Sequence, residues 1–232
     1  MNVLNSGKTT FKMEVPYRIY EQGEPGPKPL IIYLHGFGQD IKVFEQQTKA
    51  LHDLKAYHLY IQGPYADNRG IDREEKRGYG WYLYSGKQGS FERSLEYTSE
   101  FIQGVIDSLI PFLKITRCAV IGYSMGAYQA GYFGFTRWKH TNELIMVGGR
   151  FKVEFFKERN WDKRKHLNIL AVHGSKDEVV SADEQKASIE IARKKGLQAE
   201  YVSVNTGHKL NRTYFTAIKR WLADKGYESS GT

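Results

Sequence analysis

Three residues of this chain have the types and the order needed to open an acyl bond. Ser124 stands in Gly122-Tyr123-Ser124-Met125-Gly126, directly after an apolar run and directly before a helix-compatible one. A serine hydroxyl is a weak nucleophile at neutral pH and needs a base to take its proton as it attacks. Imidazole suits that task because its proton affinity lies near operating pH. Four histidines follow the serine. His140 and His166 fall in charged, surface-like segments, and His173 closes an apolar strand, where a structural hydrogen bond is its expected role. His208, in Asn205-Thr206-Gly207-His208, comes directly after the last strand-like run and is the expected base. A carboxylate must then orient that imidazole and stabilise its cation. Asp177, in His173-Gly174-Ser175-Lys176-Asp177, follows the next-to-last strand and is the expected partner. Glu178 and Asp183 are its rivals, Asp183 fitting better as a carboxylate in the first turn of the following helix.

Attack on a carbonyl creates an oxyanion that needs preorganised donors, and losing one can cost about 3 kcal/mol. The amide of Met125, next to the serine, is one expected donor. The amide of Phe37, in His35-Gly36-Phe37-Gly38-Gln39-Asp40, is the other. His35 comes too early in the chain for the base and fits a role in bracing that loop.

These groups require a scaffold that brings strand ends together. Continuous apolar runs at 30–34 and 58–61 read as strands covered on both faces, and further strands are expected at 118–123, 143–147, 168–172 and 199–204. Residues 11–20 read as an outer strand or hairpin arm, with Pro16 arguing for a sheet edge. Helical periodicity runs through 91–113, and helices are expected at 125–137, 182–195 and 212–225. Alternating strands and helices imply a mostly parallel sheet with helices on both faces, an α/β fold. One domain over residues 1–227 is expected, with a small cap at 149–167 and a disordered tail at 228–232. Residues 65–89 read as a long polar loop interrupted by Tyr79, Trp81, Tyr82 and Tyr84.

Composition narrows the classes. The 232 residues are 41% hydrophobic and 26% charged, as in an ordinary globular domain, and no apolar run is long enough to span a membrane. The net charge of +8 raises the question of an anionic partner. Residues 150–166 hold seven Lys/Arg against three Asp/Glu, but no nucleic-acid motif accompanies them, so a solvated surface is expected and no nucleic-acid partner. A single cysteine, Cys118, excludes an internal disulfide, and the first residues lack a signal-peptide layout, so a cytoplasmic location is expected. No cluster has metal-ligand spacing and no phosphate cradle or dinucleotide fingerprint occurs, so no cofactor is expected. Oligomeric state is left open, a homodimer included.

Taken together, His35-Gly36-Phe37-Gly38, Gly122-Tyr123-Ser124-Met125-Gly126, His173-Gly174-Ser175-Lys176-Asp177 and Gly207-His208 resemble the α/β-hydrolase superfamily over about residues 28–225. Within it, the chain is similar to the small phospholipase/carboxylesterase group that includes acyl-protein thioesterases. Trp81-Tyr82 resembles the Trp-Phe pair of that group. Two departures stand out: Met125-Gly126-Ala127 where many members carry Gln-Gly-Gly, and an unusually charged stretch at 65–80. The resemblance implies a single-domain serine hydrolase of carboxylic esters with Ser124, His208 and Asp177 as its triad. A thioesterase, an acylaminoacyl-type peptidase and a non-catalytic ligand-binding relative are the alternatives. Phe37, Tyr65, Trp81 and Tyr123 are expected to line an acyl pocket suited to short and medium chains of a small-molecule ester.

Overall fold

The computed structural model describes residues 5–7, 9, 12–67, 78–157 and 160–230. Its centre is a seven-stranded sheet in the order β1-β3-β2-β6-β7-β8-β9, where β1 is Tyr17–Glu21, β2 Lys28–Leu34, β3 Tyr57–Ile61, β6 Ile115–Tyr123, β7 Glu143–Val147, β8 Asn168–Gly174 and β9 Gln198–Val204. Only the edge strand β1 runs antiparallel, against β3; every other pairing in this sheet is parallel. Pro16 immediately precedes β1, where its missing N–H leaves no ladder bond unmade.

Period-two alternation divides the strand side chains between two cores. Leu30, Ile32 and Leu34 of β2 face α2 (Gln88–Leu109), α3 (Met125–Thr136) and α4 (Ala182–Lys194), which contribute Ile102, Ala130, Phe133 and Ile189. Ile31 and Tyr33 point the other way, toward α1 (Ile41–Gln47) and α5 (Arg212–Asp224), which contribute Phe44, Ile218 and Trp221. Because both faces are buried, the inner strands β2, β3, β7 and β8 read as largely continuous apolar runs rather than alternating ones. Glu143 is an exception on β7: it is fully buried and neutralised by Arg117, with Tyr227 and Asn168 donating to its carboxylate.

Three expectations need correction. The segment expected to be a plain loop at 65–89 contains an antiparallel ribbon of β4 (Tyr65–Asp67) and β5 (Gly78–Gly80), paired Tyr65 to Gly80 and Asp67 to Gly78. The charged residues 68–77 between them lie outside the described residues. The N-terminal strand begins at Tyr17, with Lys12 to Pro16 irregular. The tail expected to be disordered is docked through Ser230: Ser229 bridges Leu54, Ser230 N–H donates to Asp53 O at 2.8 Å, and Glu228 pairs with Lys55. Residues 149–167 form the region expected to be a small cap. Its 3-10 turns, Val153–Phe155 and Asp162–Arg164, sink Phe151, Val153 and Trp161 into the core, while Arg150 pairs with Glu154 and Glu184. That buries the apolar half of a basic segment and leaves its charges at the surface.

Candidate active site

Ser124 sits where β6 ends and α3 begins, with φ 51°, the one non-glycine positive φ among the described residues. Such a conformation is strained and persists only where the surroundings enforce it. The enforcement is visible. Ser124 N–H donates to Val147 O at 2.8 Å on the neighbouring strand. A Cβ at Gly122 would lie 2.1 Å from Gly126 O, and one at Gly126 would lie 2.2 Å from Leu34 O. Only glycine allows β6, α3 and β2 to approach this closely, and the approach is what turns the serine side chain outward.

The loops after β8 and β9 deliver the other two groups to the same edge. His208 Nε2 lies 2.9 Å from Ser124 Oγ, and its Nδ1 lies 2.7 Å from Asp177 Oδ2. An ionised carboxylate can only accept, so Nδ1 carries the hydrogen and Nε2 is bare toward the serine hydroxyl. Asp177 Oδ1 accepts from the amides of Val179 and Val180, both at 2.9 Å. Burial opposes ionisation of Asp177, but the Val180 amide, the His208 ring and the Val179 amide outweigh it and hold the carboxyl below its usual range. The carboxylate is therefore ionised at neutral pH, able to hold an imidazole in one tautomer. Of the rivals, Asp183 lies in the first turn of α4, where Ser181 is the N-cap and accepts from Glu184 N–H, and Glu178 is exposed.

The loop after β2 is braced from within. His35 donates through Nδ1 to Gly36 O at 2.7 Å, and its Nε2 accepts from Gly63 N–H and from the Gln62 side chain, each at 2.9 Å. Burial pushes the His35 imidazole down to about 4, so it stays neutral in this role. Gln39, which no sequence signal singles out, accepts from Gly36 N–H at 2.7 Å, and Gly38 N–H donates to Tyr79 O at 3.0 Å. The loop is thus sewn both to itself and to the β4–β5 ribbon. Phe37 at its tip is 44% exposed, while Met125 opens α3, where a first-turn amide has no partner within the helix.

Two residues expected in a substrate pocket do something else. Trp81 is fully buried, its indole N–H donating to His35 O at 2.8 Å and its ring 5.0 Å from the imidazole of His35. It is the floor under the His35–Gln39 loop, not a pocket wall. Tyr123 is buried too: its ring stacks on Phe44 and lies 5.3 Å from His208, and its hydroxyl donates to His208 O at 3.2 Å. It props the His208 loop from beneath. Tyr128, one turn along α3 from Ser124, joins Tyr82, Phe91 and Phe155 in an aromatic cluster. Phe37, by contrast, is exposed. Among the described residues no group of three or more His, Cys, Asp or Glu could hold a metal ion, and no helix is long and apolar enough to cross a membrane.

No curated protein sequence matches the chain. Solved structures do. A carboxylesterase from Mesorhizobium loti superposes with a TM-score of 0.74 at 16% identity, covering 90% of this chain and 94% of that one. Acyl-protein thioesterase 2 of Zea mays gives 0.73 at 16% identity, covering 90% and 98%. A Bacillus cereus carboxylesterase gives 0.71 at 16% identity, covering 90% and 94%. At such identity these likenesses establish the α/β-hydrolase fold. The family model for phospholipase/carboxylesterase matches residues 17–225, nearly the whole chain. On that match, and with a fold of the same kind, the chain belongs to the phospholipase/carboxylesterase family and is a carboxylesterase-type hydrolase.

Proposed function

We propose that the protein hydrolyses carboxylic esters through an acyl-enzyme on Ser124. The carrying observation is the unbroken chain from Ser124 Oγ to His208 Nε2 and from His208 Nδ1 to Asp177 Oδ2, at 2.9 and 2.7 Å. His208 takes the serine proton as Oγ attacks the carbonyl carbon. The amides of Met125 and Phe37 receive the oxyanion, and the imidazolium returns its proton to the departing alcohol. Water then repeats the sequence on the acyl-serine and releases the acid. Asp177 stabilises the transient imidazolium without taking its proton. Every proton moves between side chains of this chain and the reactants, so the rate should be indifferent to EDTA.

The substrate we propose is a small ester with an acyl chain of roughly two to eight carbons. The support is the short segment at 149–167 and the packing of its Phe155 on Phe91, which with Tyr82 and Tyr128 forms an aromatic cluster beside the first turn of α3. Two measurements test the reading. Fluorophosphonate should label the wild-type protein on Ser124 and leave Ser124→Ala unlabelled; labelling elsewhere, or none, sinks the acyl-enzyme. A panel of p-nitrophenyl esters from acetate to palmitate, run beside acyl thioesters and peptide amides, should peak among the short esters. A maximum at palmitate would overturn the chain-length proposal and leave the serine mechanism standing.

A further inference from the structure

His173 was expected to be a structural histidine with its hydrogen bonds satisfied, and its surroundings differ from that. The side chain is fully buried at the end of β8, in register with Ser203 of β9. Nε2 lies 3.0 Å from Val180 O and 3.3 Å from Asp177 Oδ2, while Nδ1 is buried with no partner among the described residues. A carbonyl and a carboxylate can only accept, so Nε2 carries the ring hydrogen and Nδ1 is a bare, unmatched acceptor. An apolar side chain of similar size would avoid that cost. The ring must give something in return.

The turn it faces explains what. Residues 175, 176, 178 and 179 are exposed, so the turn has little packing of its own. Its first part is tied to the end of β9 by Ser175 N–H to Val204 O and Lys176 N–H to Thr206 O. Asp177 Oδ1 is held by the amides of Val179 and Val180, which belong to the same turn and would move with it. Val180 is in turn fixed through its carbonyl to His173, on a strand paired on both sides. Oδ2, the atom that meets His208, also has His173 Nε2 of β8 within 3.3 Å.

We propose that His173 is a positioning residue for Asp177: its Nε2–H donates to Val180 O and lies against Asp177 Oδ2 at 3.3 Å, and so ties the carboxylate that orients His208 to the rigid sheet. This rests on the reading of Ser124, His208 and Asp177 as the reacting set. Two consequences follow from removing that N–H. The carboxylate loses one of its ties to the sheet, so His208 is held less well and the chemical step slows more than substrate binding. Oδ2 also loses the positive end of the nearby N–H dipole, so more of its charge falls on His208 and favours the imidazolium. The acid limb of the rate profile then moves to higher pH.

The experiment compares His173→Leu, His173→Asn and His173→Gln with the wild type, using p-nitrophenyl butyrate across about pH 5–9 and counting active sites with fluorophosphonate. Leucine has no donor, asparagine is too short to carry one to Val180 O, and glutamine places its amide near the position of Nε2. Leucine and asparagine should lower kcat per labelled site about tenfold or more, with KM within about twofold and the acid limb shifted upward. Glutamine should recover most of kcat and return the limb. If leucine prevents folding, asparagine against glutamine decides. Wild-type kcat and limb in the asparagine variant, or a glutamine variant as impaired as the others, would overturn the positioning role. A wild type that fluorophosphonate does not label on Ser124 would instead overturn the reading of the reacting set, and the two failures are separate.

Discussion

Trp81 offers the sharpest test of how the site is supported. On its position in the sequence, truncating it should open the pocket and favour longer acyl chains. The structure leads to a different outcome, because the side chain has no exposure and its N–H satisfies the His35 carbonyl. Trp81→Ala removes a buried indole, which costs about 3–5 kcal/mol, and strands a buried carbonyl for about 1–2 kcal/mol more. Against a typical total of about 5–15 kcal/mol, that is a large share of the fold's stability. For a chain of this size it corresponds to a fall in Tm of roughly 10–20 °C. Trp81→Phe keeps most of the ring volume and loses the donor, so about 1–3 kcal/mol is expected. The assay is guanidinium unfolding of all three proteins with the slope compared, followed by the ester panel on whatever remains folded. Activity per folded molecule should fall at every chain length, because the loop carrying Phe37 rests on this indole through His35. A Trp81→Ala protein within about 1 kcal/mol of wild type, with its optimum moved to longer chains, would show that the ring lines the pocket after all.

Other expectations can be checked beside it. Ser124→Ala should abolish turnover of p-nitrophenyl butyrate and His208→Ala should nearly do so, since such residues act as a unit, while Asp177→Asn should cost less than loss of the serine. A folded, fully active His208→Ala protein would place the base elsewhere. Gly126→Ala would push a Cβ to 2.2 Å from Leu34 O and 2.5 Å from His35 O, both backbone. A displacement of the loop by about 1 Å should cost roughly 100-fold in kcat, read from initial rates on correctly folded protein. Stability should also depend on pH through two buried imidazoles. Burial pushes His35 and His58 from 6.5 down to about 4, so both stay neutral in the fold while the unfolded chain takes up protons. Their contribution, about 3 kcal/mol each, is complete above about pH 6.5 and drains away as pH falls toward 4. Unfolding free energies that stay flat over that window would refute it.

Much of the scaffold was legible because its physical cause is local. Six runs form parallel strands, all but the edge strand β9 largely buried, and each of the six expected strands lies within an observed one. Gly122 and Gly126 around Ser124 are needed for contacts within one strand–helix turn, which is why the motif can be read from five residues. The helix α1 escaped notice because it is only seven residues long, with Ile41 and Phe44 its only buried positions, too few to establish a period. The ribbon of β4 and β5 escaped because each strand is three residues long, and its register is set by bonds to Gly38 and Gln39, far away in the chain.

What the sequence alone determined is the α/β alternation that brings strand ends to one edge, and it named Ser124, Asp177 and His208 as candidates there, since residue type and local periodicity are enough for both. Only the tertiary structure decided what each aromatic and polar side chain near that edge does. Trp81 and Tyr123 read as pocket residues because they neighbour the motifs, yet they are buried beneath them, since nearness along a chain does not say which side of a loop faces solvent. Gln39 and Gln62 carry no signal by type, and they matter because the fold places their amides against the His35–Gly36 backbone. The tail at 228–230 is polar and short, and it is ordered because Asp53 and Leu54, from the opposite end of the sequence, present backbone groups that pair with it. Contacts of that range depend on the closed sheet, and no window of sequence contains both partners.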